Sequence, residues 1–171
     1  MNTVIQKDIL EKINFGKVGR YAVYLIVVLI LQNSLFTQMR LLGVCPLVLP
    51  AVAVVMGMFE GATWGAIFSL VMGIFADMAF VENKIFFTLL FPALSFLAGF
   101  VSNYYINRRF FAYMGAAAGG LLLTAAAQIL KTSASDTFST VMITTGLLQT
   151  LWSLPFAALV YYPPSRLSRL E

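Results

Sequence analysis

Between Arg20 and Arg40, Arg40 and Glu60, Lys84 and Arg108, and Arg109 and Lys131, this chain carries no charged residue. Each interval is close to the roughly 20 residues that an α-helix needs to cross a hydrocarbon layer about 30 Å thick. Hydrophobic residues make up 60% of the 171 and charged residues only 11%. A soluble domain carries about a quarter charged residues, and one core of this length could not hide so much apolar surface. The expected class is therefore an all-α, polytopic membrane protein, built as a compact bundle of six transmembrane helices. The length leaves room for one membrane domain and for no separate soluble domain.

The apolar runs place the spans at about 19–36, 45–59, 61–81, 85–106, 110–130 and 140–162. Pro46 and Pro50 fall in the first turns of the second span and predict an irregular or tilted start. Pro92 predicts a kink in the fourth, and Pro163-Pro164 stop the sixth, which also contains Pro155. Only Glu60 and its neighbouring glycines divide the second span from the third, and merged they would be too long for one crossing. Residues 1–18 do not have the layout of a secretory signal. Ile5, Ile9 and Ile13 form an i, i+4 row, which predicts a short amphipathic helix on the membrane surface; a frayed tail is the other reading. Residues 163–171 form a short tail.

With six spans, Lys7, Lys12, Lys17, Arg20, Arg108, Arg109, Arg166 and Arg169 share one side, and Arg40, Lys84 and Lys131 the other. The positive-inside bias then puts both termini in the cytoplasm. Tyr21, Tyr24, Tyr104, Tyr105, Tyr113, Tyr161 and Tyr162 fall at the same ends, where tyrosines favour the interface. The net charge of +4 reads as topology, with no nucleic-acid patch.

The chain has no histidine and a single cysteine, Cys45. That removes His-based metal sites, general bases and triads, and any internal disulfide framework. Glu60 and Asp77 fall on opposite sides of the membrane, so no acid pair converges. No enzyme activity, cofactor or metal is expected.

Gly61, Gly65, Ser69, Gly73 and Asp77 recur every four residues in the third span, and Gly115 and Gly119 repeat the spacing in the fifth. Small side chains at this spacing let a second helix backbone approach closely. They serve either the internal packing of the bundle or the docking of a partner helix. Asp77 is costly inside a span unless it pairs or reaches the headgroups. Gln32, Asn33, Asp77, Gln128 and Lys131 all fall at outer span ends and are expected to share one level. There they either form an outer polar cluster, with Lys131 as counter-charge, or Asp77 reaches the interface alone. Gln149 is expected to bond between helices. Glu60, in the cytoplasmic turn, complements the positive end of the following helix or meets a partner. No internal repeat of the kind that builds symmetric transporters is present.

Leu31-Gln32-Asn33-Ser34, Pro46, Glu60-Gly61-(three)-Gly65 and Gly73-(three)-Asp77 together resemble the rod-shape-determining MreD family of bacteria. After the Asp that family usually has a further glycine, where this chain has Glu82-Asn83-Lys84. The resemblance implies a non-catalytic multi-pass protein of the bacterial cytoplasmic membrane. It would work in the complex that elongates the lateral cell wall, with MreC, RodA, a penicillin-binding transpeptidase and MreB as partners. Lipid surrounds such a protein, and no small-molecule substrate is expected. The implied membrane fold is similar to that of the substrate-binding subunits of energy-coupling-factor vitamin transporters, which are the alternative function. On the first reading, Gly65→Leu or Gly73→Leu is expected to weaken partner binding without unfolding the protein.

Overall fold

A computed structural model describes residues 15–36, 38–39, 43–79, 85–104, 110–135, 140–162 and 164. The expected amphipathic helix lies outside them except for its last residues, as do Arg108-Arg109, Glu82-Asn83-Lys84 and nearly all of the tail. The described chain is helical. Its elements are α1 (Phe15–Leu31), a π-helical turn (Gln32–Phe36), α2 (Leu49–Ala79), α3 (Phe86–Tyr104), α4 (Phe110–Ser135) and α5 (Thr140–Val160). Four stretches are apolar and long enough to cross a membrane: Gly19–Phe36, Leu49–Ala79, Phe110–Ser133 and Thr140–Val160. The apolar stretch Phe86–Ser102 is shorter. Large apolar side chains such as Val23, Ile30, Leu89, Leu123 and Leu151 lie exposed on the outside of these helices. So much outward apolar surface suits lipid and not water.

α2 is not one rod. Gly61 has φ 83° and ψ 172°, a backbone region that is essentially glycine-only. A Cβ placed on Gly65 would lie 2.6 Å from the Cα of Gly57. In a straight helix, residues eight apart are separated by about 12 Å. The chain therefore folds back at Gly61, and the arms 49–60 and 62–79 pack against each other. These arms fall within the expected second and third spans, but the described residues form five helices, of which four hold a stretch long and apolar enough to cross, so the expected count of six spans is not shown. The first arm alone is only about 18 Å long at 1.5 Å per residue. It is the centre of the molecule, and Leu49 to Met58 are all buried.

Glycines draw α3 onto both arms. A Cβ on Gly57 would overlap the Ser95 backbone oxygen, and one on Gly99 would come within 2.5 Å of the Ala62 nitrogen. A Cβ on Gly73 would sit 2.6 Å from the Phe87 oxygen. These contacts are between backbones, which cannot move aside as a flexible side chain can. On the far side, Gly120 of α4 faces Val54, and Gly146 of α5 faces Ala125 and Ile129 of α4. α1 leans away from the second arm of α2, leaving an apolar groove of about 360 Å³ lined by residues that include Leu25, Leu29, Trp64 and Phe75.

Three of the tyrosines at one end bond other parts of the fold. Tyr21 and Tyr113 are fully buried. Tyr113 donates to the Ala157 carbonyl at 2.9 Å and Tyr24 to the Val160 carbonyl at 3.1 Å. Carbonyls in the last turn of a helix lack intrahelical donors, and these two hydroxyls reach that turn of α5. Tyr161 stacks among Phe59, Phe110 and Tyr113, with ring centroids 5.1 to 5.6 Å apart.

The glycine contacts overturn one expectation. Gly65→Leu and Gly73→Leu would each drive a side chain into backbone, with an overpacking cost of about 1–3 kcal/mol or more. Both substitutions are expected to lower the melting temperature of the detergent-solubilised protein clearly. Gly115→Leu, whose Cβ would meet nothing within 4 Å, is expected to leave the melting temperature almost unchanged. Equal melting of all three variants would contradict this packing.

Candidate functional site

Residues 45–48 are not helical, yet Pro46, Leu47 and Val48 are buried. Pro46 has no N–H, and Pro50 disfavours helix at Leu49, so the sequence itself opens the backbone here. Open backbone in an apolar interior must find partners, because no water is there to bond it. Three side chains provide them. Gln32 donates from Nε2 to the Pro46 carbonyl at 3.0 Å and accepts the Val48 N–H on Oε1 at 2.9 Å. One carboxamide thus closes one edge of the segment, as a neighbouring strand would. Ser153 of α5 accepts the Leu47 N–H at 2.8 Å and donates its own proton to the Gln149 carbonyl at 2.7 Å. The Gln149 Nε2 reaches the Cys45 carbonyl at 3.4 Å. The π-turn of 32–36 carries the buried Gln32, and such turns recur where a helix bends its ladder to aim a side chain.

Asp77 is used within the fold. Its Oδ1 accepts the Phe87 N–H at 3.0 Å, and Oδ2 accepts the Thr88 N–H and the Thr88 hydroxyl, both at 2.7 Å. These donors belong to the first turn of α3, where backbone N–H groups lack intrahelical partners and the helix dipole favours a negative charge. Asp77 sits in the last turn of α2, so it joins the end of one helix to the start of the next. Three charge-assisted bonds answer the cost of placing a carboxylate near the apolar layer.

The five residues expected to form one polar cluster have separate tasks. Gln32 holds Pro46 and Val48, and Asp77 holds Phe87 and Thr88. The Lys131 Nζ lies 5.4 Å from the centre of the Phe86 ring, one residue from the Asp77 contacts. Asn33 is exposed. Gln128 lines a crevice between α4 and α5. At the other end of the bundle, Glu60 accepts the Tyr21 hydroxyl at 2.5 Å, tying the α2 turn to α1.

The small-residue row divides in the same way. Gly65, Ser69 and Gly73 are buried, and Gly65 and Gly73 pack inside the molecule. Gly61 makes the turn. Gly115 and Gly119 differ, because a Cβ on either would meet nothing within 4 Å. They lie on an outer face of α4 beside the exposed Phe111 and Leu122. Ser69, Ser95 and Ser102 keep buried hydroxyls without a partner. Among the described residues, no three His, Cys, Asp or Glu side chains converge.

Family models, curated proteins and solved structures give no match to this chain. Its reading therefore rests on its own residues. The clamp on 45–48 is the feature that sequence reasoning missed. A glutamine at the end of an apolar run, with two prolines a loop away, was the available signal.

Gln32→Leu would orphan a buried carbonyl and a buried N–H, at about 1–3 kcal/mol each. The variant is expected to melt lower and to alkylate faster at Cys45, the only thiol, as the segment loosens. Asp77→Ala is expected to cost at least the roughly 1 kcal/mol of a lost helix cap, read as lower thermal stability with Cys45 alkylation little changed. The two readouts separate the clamp from the cap.

Proposed function

We propose that this chain is a non-catalytic membrane scaffold of the rod-shape-determining MreD kind. On this reading it crosses the bacterial cytoplasmic membrane six times, with both termini in the cytoplasm and the two arms of α2 as separate passes. It binds MreC and the wall synthases that build the lateral cell wall. One observation carries the reading. The residues on which the resemblance rests are the residues that hold this fold together: Gln32 bonds the Pro46 carbonyl, Gly61 turns α2, Gly65 and Gly73 bring backbones into contact, and Asp77 caps α3.

The geometry also moves the proposed docking surface. The glycines of the third span are occupied inside the molecule, so the open face of α4 at Gly115 and Gly119 takes their place. Small residues there leave room for a second helix to come close. The vitamin-transporter alternative put its pocket at Asp77, whose carboxylate is engaged with the first turn of α3.

The test is affinity recovery of the tagged full chain from membranes in mild detergent. MreC or the wall synthases are expected with the parent protein. Recovery is expected to fall with Gly115→Leu/Gly119→Leu while the stability stays within about 0.5 kcal/mol of the parent, as for surface changes, and the melting temperature hardly moves. Recovery of an energy-coupling module instead would overturn the scaffold reading.

A further inference from the structure

A crevice of about 210 Å³ opens between α4 and α5, lined by Gln128 and Thr132 on one side and Thr145 and Gln149 on the other. Each pair is one helical turn apart, so two polar rows face each other. The floor is small and apolar: a Cβ on Gly146 would lie 3.2 to 3.3 Å from Ile129 and Ala125. Among the described residues, no charged side chain lines it.

The hydrogen-bonding capacity of this lining is specific. Thr132 donates its hydroxyl proton to the Gln128 carbonyl at 3.0 Å, and Thr145 donates to the Val141 carbonyl at 2.8 Å. Both hydroxyl oxygens are left to accept only. Gln149 commits one N–H to the Cys45 carbonyl and keeps the other, together with its oxygen. The Gln128 carboxamide also lines the crevice and offers both donors and acceptors. The crevice thus presents two amides and two accepting oxygens with no charge. The volume equals about seven waters at roughly 30 Å³ each. Gln128 lies about 10 Å along α4 from its end at Ser135, and Thr145 about 7 Å from the start of α5.

We propose that the α4–α5 crevice is a binding site for a small uncharged solute rich in hydroxyl or amide groups, entering from the side of the membrane where Asp77 lies. The site shares no residue with the proposed partner face and does not depend on that reading.

The test uses the full chain in lipid nanodiscs, with Cys45→Ser and a reporter thiol from Val141→Cys, at the exposed rim of the crevice. A hydrophilic maleimide is applied with xylitol, with acetamide, or with sucrose, which exceeds the cavity. Xylitol or acetamide is expected to slow alkylation several-fold in a saturable manner, and sucrose is not. Gln128→Leu is expected to abolish the protection and leave the basal rate of alkylation high. A thiol that never reacts would overturn the proposal by showing the crevice closed, whether by lipid or by a partner helix. Protection by sucrose as well, protection that survives Gln128→Leu, or no protection by either small solute would overturn it too.

Discussion

A peptide group in an apolar interior has no water to bond, and the clamp on residues 45–48 is how this fold meets that constraint where its helices stop. Gln32 replaces the hydrogen bonds that the helix ladder would have made. With the backbone satisfied, the first arm of α2 can begin deep inside the bundle, where Leu49 to Met58 are surrounded by protein. Every other helix is arranged around that arm. Pro46 and Pro50 open the ladder, and Ser153 and Gln149 hold the opened strand from the opposite side.

The second organising element is close backbone contact. Gly57, Gly65 and Gly99 let the two arms of α2 and α3 meet with almost no side chain between them. Dispersion between backbones packed this closely substitutes for the hydrophobic drive that lipid removes. Such an interface tolerates no added carbon atoms, whereas the α4 face at Gly115 has space to receive them. One residue pattern therefore has opposite mechanical meanings on two helices.

Much of this fold was legible in the sequence. Charge-free intervals mark an all-helical membrane chain, and α4 and α5 start at Phe110 and Thr140, where such intervals or their polar flanks begin. Gly61 was legible as a boundary, because an arm pair without a turn would be too long. The uses of Gln32 and Asp77 were not legible. Each was recognisable as a polar residue in need of partners, but the partners depend on which helices are neighbours, and periodicity along one helix carries no such information. Asp77 finds its donors only about ten residues on, in the next helix, and Gln32 finds its partners across an open loop. The hydroxyl partners of the tyrosines were not legible for a related reason: a phenol at a helix end serves equally to meet headgroups or to bond a neighbouring helix's last carbonyls. Tyr113 and Tyr24 do the latter.

The sequence separation of the clamp bears on how the protein is made. Leu47 is bonded by Ser153, and Cys45 by Gln149, each more than one hundred positions later in the chain. When the ribosome has delivered residues 45–60, Gln32 is already present but the α5 partners do not yet exist. Those two backbone groups find these partners only once α5 has been made. An early-made part of the core thus depends for its sealing on a helix made more than one hundred residues later.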